Sequence, residues 1–381
     1  MRVAFAHMGL IHIPLQALFK GLGFEVVLGP VSTRNTLQTG AKHSPEMVCL
    51  PFKVTLGNMI ESLHKGADTL LFIGAGDWSC RFGYYGRLQC SILKELRYDF
   101  RAIFISKNDL RLILTEVLSA NGGNPFRALK NSAKSLLTAW IKSKQIETIE
   151  TLARKIRPVE KTDGQTDSVS RELINRVSKT SSVRNLLKLT RSINQTFKTI
   201  DYHKERKPLR ILIVGESYCV IEPLVNFHII EFLGHAGVFA EPFLTSHRWL
   251  FRHALRIDDN KLLKNKRALK DASKIWAYPT GGEDQVSIGF ALNARRLGFD
   301  GVIHLMPFGC MPETAALTVF ESIARSGDIP VLNISLDEHS GHTGVCTRIE
   351  AFIDLLESQR AARSKVSATT TTGEKRECNV T

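Results

Sequence analysis

The sequence predicts an α/β fold of two doubly wound, Rossmann- or flavodoxin-like domains joined through a helical segment. Three observations carry this expectation. Short apolar and β-branched runs alternate with helix-period stretches up to about residue 107, uninterrupted helical periodicity follows over 108–207, and the alternation restarts at LRILIVGE and runs to about 360. Strands alternating with helices are the pattern of a parallel sheet. The expected bounds are an N-terminal domain over 1–107, a helical segment over 108–207, a C-terminal domain over 208–360 and a polar, disordered tail over 361–381.

In order, RVAFAHMG reads as a short strand ending at Gly9, and IHIPLQALFKGLG as a helix stopped by glycine. FEVVLGP is a β-branched run, PFKVTLGNMIESLHKGA is helical, and DTLLFIGAG is a buried strand. YYGRLQCSILKELRYD is a helix and FRAIFIS a strand. LRLILTEVL, AKSLLTAWIKSKQIETIETLARKI and SVRNLLKLTRSINQTFKTI are the helices of the middle segment. In the last third, EPLVNFHIIEFLGHAG reads as one helix, and FAEPFLT, KIWAYP, GVIHLMPFG and IPVLNISLD as strands. QVSIGFALNARRLGF and AALTVFESIARSG are helices between them.

Bulk composition narrows the function classes. The 381 residues are 43% hydrophobic, enough for cores in two or three domains. No apolar run reaches the ~18 residues of a membrane span. MRVAFAHMGLIHIPL has one basic residue, and histidines interrupt its apolar run, which does not suit a signal peptide. A cytoplasmic protein without membrane attachment is expected. Seven cysteines in such a chain do not suggest a disulfide framework, and the absence of CxxC pairs argues against a zinc ribbon or thioredoxin-like site. The net charge is +14, and residues 105–208 hold 21 basic against 10 acidic side chains. Nucleic-acid binding is not expected, because no nucleic-acid motif accompanies the charge. Solvated helix faces and a docking face for an acidic partner or phosphorylated ligand remain the two readings of the basic segment.

In open α/β sheets ligands sit beyond the carboxyl ends of the strands, so reactive residues just after strands are the informative ones. Cys80 follows TLLFIGAG, Cys310 follows VIHLMPF, and Cys49 lies in SPEMVCLPF just before Pro51. Proline in a first helical turn marks a helix start, so all three cysteines are expected at helix N-termini. The helix dipole and free N–H groups there are expected to lower the thiol pKa and favour the thiolate, the form that ligates metal. Plain core filling is the competing reading of any one of them. Cys90 reads as the edge of an apolar helix face, Cys219 and Cys346 as weaker corner candidates, and Cys378 belongs to the tail.

SPEMVCLPFKVTLGNMIESLHKGADTLLFIGAG, CRFGYY, HLMPFGCMPE and NISLDEHSGHTGVCTRIEAF together resemble the 2-hydroxyacyl-CoA dehydratase component D family, and more closely its acyl-CoA dehydratase activase-related (CoA-protein activase) branch. Benzoyl-CoA reductase subunits and double-cubane cluster proteins are relatives. The resemblance implies a [4Fe–4S] cluster in the interdomain cleft, held here by Cys49, Cys80 and Cys310, with one iron open. It implies an ATP-hydrolysing iron–sulfur activator that donates one low-potential electron, a CoA thioester as substrate, and pairing with a homologous or identical subunit. Arg81 is then expected to balance cluster charge or pair with a carboxylate, and Gly83 to let the chain turn close to the cluster. Glu46, Glu313, Glu338 and His339 are candidate supporting or proton-handling groups. Cys346 or Cys219 would close the fourth iron if either reached it. GxxxxGK[ST] is absent, so the chain is not expected to be the ATPase itself. Three functions follow as expectations. One is an iron–sulfur enzyme component reducing or reductively dehydrating a thioester or other small molecule. Another is a cluster-bearing electron carrier without its own substrate, and the third a metal-free cleft-type binding protein.

Overall fold

The computed structural model describes residues 1–73, 80–105, 110–255 and 260–373. The first alternating stretch forms β1 (Arg2–Ala4), α1 (His12–Gly21), β2 (Glu25–Val26), α2 (Arg34–His43), α3 (Leu50–His64), β3 (Thr69–Ile73), α4 (Phe82–Glu95) and β4 (Arg101–Ile105). Its four strands are parallel, in the order β2-β1-β3-β4. Four helices follow: α5 (Leu110–Ala120), α6 (Pro125–Ile156), α7 (Gln165–Lys179) and α8 (Val183–Lys198). The second alternating stretch begins with β5 (Leu209–Gly215), α9 (Ser217–Ile221), α10 (Pro223–Asn226), α11 (Ile229–His235) and β6 (Val238–Pro242). It continues through α12 (Ser246–Leu250), which runs into a π-helical turn over Phe251–Leu255, then α13 (Asn265–Ala272) and α14 (Asp284–Asn293). It closes with β7 (Gly301–Pro307), α15 (Met311–Arg325), β8 (Val331–Leu336) and α16 (His342–Gly373). These strands are also parallel, in the order β6-β5-β7-β8.

The two sheets therefore share one topology, and each reverses its winding between its first and third strands. That reversal opens a crevice beyond the carboxyl ends of β1 and β3 in one sheet and of β5 and β7 in the other. Ile211 to Val214 of β5 are fully buried, as a strand covered on both faces must be. The halves are not independent cores. Val3, Phe5 and Leu15 belong to the same apolar cluster as Tyr218, Val220 and Leu244. The other face of the first sheet packs Leu70 and Phe72 against Phe52, Leu56 and Leu93. Ile146, Ile149, Leu173, Val177, Ile193 and Phe197 of α6–α8 form a third cluster, which Ile13 of α1 joins.

Several local expectations change. KIWAYP is not a strand: its Trp276 indole N–H donates to Asp284 Oδ2 at 2.9 Å, which ties the segment to the start of α14. EPLVNFHIIEFLGHAG is two helices, because Phe227 and His228 both take the left-handed conformation between α10 and α11. The Asn226 amide stabilises that break by donating to the Cys219 and Val220 carbonyls. No element was expected over 34–43, where Thr33 and Thr36 form a capping box that starts α2. α16 runs to Gly373, past the point where the tail was expected to begin, and Cys378 lies outside the described residues. Among the described residues no helix is long and apolar enough to cross a membrane.

Candidate functional site

Cys49 caps α3 and Cys310 caps α15, each in extended backbone with proline in the first helical turn. Cys80 stands one residue before the Arg81 cap of α4, and its carbonyl accepts from the Gly83 N–H at 3.2 Å. Gly83 thus lies in the first turn of α4, near where the helix was expected to begin, and its N–H closes the turn that starts at Cys80. Cys310 follows β7 by way of Gly309, whose φ of +71° is open to glycine at little cost.

Arg81 organises these corners. Its guanidinium donates to the Met47 carbonyl at 3.1 Å and to the Gly309 carbonyl. One side chain adjacent to Cys80 therefore holds the backbone two residues before Cys49 and one residue before Cys310. The expectation that Arg81 pairs with a carboxylate gives way to this clamp: a planar fork of N–H donors can take two carbonyls at once. Further ties cross between the halves. Lys53, one turn into α3, pairs with Glu338 after β8. The Tyr218 hydroxyl donates to the His7 carbonyl at 3.0 Å, and the Gly9 N–H to Glu222 Oε2 at 2.7 Å.

The thiols depart from expectation in their acidity. Burial pushes Cys49 up to about 12, despite a hydrogen bond between Sγ and the Tyr85 hydroxyl at 2.7 Å and the nearby charge of Arg81. Burial also raises Cys80 and Cys310, and the negative charge of Glu216 adds to both. The helix-start N–H groups do favour thiolate, but loss of water outweighs them. Burial therefore favours the protonated thiol at all three positions. Cys310 and Cys49 lie within each other's electrostatic reach, and Cys219 feels both.

Cys80 and Cys310 line a cavity of about 50 Å³ with Glu216, Glu283, Glu313 and Ser217. Each carboxyl group is in a different state. Glu216 faces the cavity and accepts the N–H groups of Tyr218 and Cys219 at 3.0 and 2.9 Å, but burial raises its pKa to about 7. Burial opposes the charge on Glu283 too, yet Arg252 at 2.7 Å, together with His253, holds it down at about 2. Glu313 is fully buried, and burial raises its pKa. Its Oε2 lies 2.8 Å from His304 Nε2, while the other ring nitrogen is 3.0 Å from Asn333 Oδ1. Glu313 Oε1 has no hydrogen-bond partner among the described residues. A second, largely apolar cavity of about 90 Å³ adjoins the first, the two sharing Met8, Phe82, Tyr218 and Trp249.

The other expected groups divide. Glu338 belongs to the Lys53 pair, which holds its pKa down against the cost of burial. Glu46 is exposed, and His339 points to solvent with its ring 3.9 Å from Glu338. Cys346 sits 3.5 Å from the ring of His342, one turn earlier on α16, and Glu350 is its charged neighbour. Cys90 packs beside Leu93 in the apolar cluster of the first sheet. Glu216, Glu283, Tyr85, Lys53 and His304 escaped sequence reasoning. Glu216 alone carried a readable signal, since it follows the strand LRILIVG even more directly than Cys310 follows VIHLMPF.

Two like-wound parallel α/β halves, meeting at a cavity lined by thiols and carboxyls, define a class of paired-sheet proteins with a cysteine-bearing cleft. Residues 142–356 match the family described as 2-hydroxyglutaryl-CoA dehydratase, D-component, and residues 12–242 match the CoA enzyme activase uncharacterised domain. Each match spans more than half of the chain, and the chain belongs to this family as a 2-hydroxyacyl-CoA dehydratase-type component. No curated protein matches the chain.

Proposed function

We propose that the chain carries a [4Fe–4S] cluster on Cys49, Cys80 and Cys310 and accepts a low-potential electron from an ATP-hydrolysing activator. Its reaction is reduction or reductive dehydration of a CoA thioester or another small molecule. The observation that carries this reading is the Arg81 clamp, which ties all three cysteine corners to one guanidinium.

The residues suit such a group. Among the described residues no three His, Cys, Asp or Glu side chains converge as one metal ion requires. A cluster differs, because each thiolate binds a different iron, so thiols on separate helix starts, two of them lining the cavity, are appropriate ligands. The cavity charge is also moderated: Glu283 is matched by Arg252, while Glu216 and Glu313 are raised toward neutrality. When bound, the cluster supplies electron storage and one iron free to polarise a substrate oxygen.

The chain's own side chains do the rest. Arg81 keeps the corners in register, and the Tyr85 hydroxyl donates to a Cys49 thiolate. Met8, Phe82 and Trp249 keep water from the cavity and join it to the apolar chamber, which would take an acyl group. Glu313 holds a proton between Oε2 and His304 Nε2, with Oε1 left without a hydrogen-bond partner among the described residues. The small volume of the two cavities, about 50 and 90 Å³, favours a second reading, an electron carrier without its own substrate.

Iron and acid-labile sulfide per chain after strictly anaerobic purification test the proposal. About four of each are expected in the wild type, falling below about one in Cys310→Ala. Wild type without iron after reconstitution overturns it. An electron-spin signal that changes on adding a thioester selects the enzyme over the carrier.

A further inference from the structure

The helix α6 carries an apolar face that the molecule leaves uncovered. Phe126, Leu129, Leu136, Leu137 and Trp140 recur at helical spacing, with Phe126, Leu129 and Leu136 exposed to 83, 70 and 57%. Arg127, Lys130 and Lys134 share the exposed surface of the same turns, and no acidic residue occurs between 121 and 146. Leu114 and Leu118 of the preceding helix α5 are exposed as well. Isolated exposed leucines need no explanation, but a helical stripe of this kind does.

The stripe ends next to the cysteine cavity. Trp140 meets Phe251 edge-on with ring centres 4.5 Å apart, and Ser143 hydrogen-bonds His247 Nδ1 at 2.8 Å. Phe251 and His247 belong to the helical stretch 246–255, whose Trp249 lines both cavities and whose Arg252 holds Glu283. At its Trp140 end, the stretch 246–255 lies between the stripe and the cavities.

We propose that the face of α6 from Phe126 to Trp140 docks the protein that delivers electrons to the cysteine cavity, a partner with an acidic rim around an apolar centre. The inference rests on the reading that an electron-donating activator serves this site. Charge complementarity selects such a partner: apolar side chains supply the contact, and Arg127, Lys130 and Lys134, with no acidic residue on this part of α6, steer an acidic surface onto it while repelling a second copy of the chain.

The test uses the full chain loaded with iron and sulfide and the separately purified ATP-hydrolysing iron–sulfur activator as the probe. Two variants are compared with wild type, Lys130→Glu with Lys134→Glu, and Leu129→Ser with Leu136→Ser. All four positions face solvent, so helicity and iron content should hold. The dissociation constant should rise about tenfold or more in each variant, and wild-type binding should weaken with salt. ATP-dependent reduction should slow in proportion, while reduction by dithionite stays unchanged. Equal binding and reduction of wild type and variants overturns the docking face and leaves the cluster reading intact. Stripe-dependent binding to anionic vesicles, or stripe-dependent self-association, without activator binding overturns it in favour of a lipid surface or a second copy. Wild type that holds no iron sinks the underlying reading instead.

Discussion

In the N-terminal sheet the helix before the third strand, α3, is capped by Cys49, and the third strand leads to Cys80. In the C-terminal sheet the corresponding helix, α14, is capped by Glu283, and the corresponding strand leads to Cys310. The same topological corner thus holds a thiol in one half and a carboxylate in the other. Glu283 has its counter-charge built in, since Arg252 and His253 hold it ionised against the cost of burial. Cys49 has only a hydroxyl and a more distant guanidinium, and burial keeps it protonated. One corner has its counter-charge within the protein, and the other keeps a neutral thiol. Shared winding therefore sets where reactive residues stand, while local partners decide what each of them does.

Breaking the comparison at that corner gives the largest expected effect. Glu283→Ala leaves the Arg252 charge behind without its partner, and because Arg252 is partly exposed the cost should be about 2–3 kcal/mol. Cys49→Ala in metal-free protein removes only one small buried group and should cost about 1 kcal/mol. Urea unfolding of both variants checks the contrast, and equal losses would remove the distinction between the corners.

Glu216 gives the next effect, through pH. Its folded pKa, about 7, lies above the ordinary value of 4.5, so the folded state prefers the protonated form. Stability from this group is full below 4.5 and declines as pH rises through about 7. Glu216→Gln should remove the decline and stabilise metal-free protein at pH 8 by about 2 kcal/mol, with little change at pH 4. Glu283 runs the opposite way. Its stabilisation is present above 4.5 and is lost as pH falls toward about 2, so Glu283→Gln should flatten the acid limb of the stability curve. Thermal unfolding across pH separates the two carboxyls.

Much of this is legible in the sequence. Both parallel sheets follow from β-branched runs alternating with helical periodicity, and the three cysteine corners from thiols placed after strands or before Pro51 and Pro312. Partnership was not readable, because it is made across long separations. Arg81 meets Gly309 228 residues away, and Lys53 meets Glu338 285 residues away. The thiol pKa was misjudged for a related reason. Helix starts are local and visible in sequence, whereas burial is a property of the assembled halves. KIWAYP misled because an apolar, aromatic run looks like a strand until its indole is seen bonded to Asp284.

The smallest effect bears on what joins the halves. Arg81→Ala removes two hydrogen bonds from a charged donor to carbonyls beside Cys49 and Cys310, but the side chain is exposed, so the loss should be only about 1–2 kcal/mol. If the proposed cluster is carried on these cysteines, the larger consequence should be loss of iron, because the corners lose their common reference while their helices stay folded. Arg81→Lys should not restore it, since a single ammonium lacks the planar fork that spans both carbonyls. Iron retained per chain after gel filtration, measured beside urea stability, distinguishes the roles. If Arg81→Lys keeps as much iron as wild type, positive charge at this position is what matters. If it loses iron as Arg81→Ala does, at nearly unchanged stability, the two carbonyl contacts are what hold the thiol corners together.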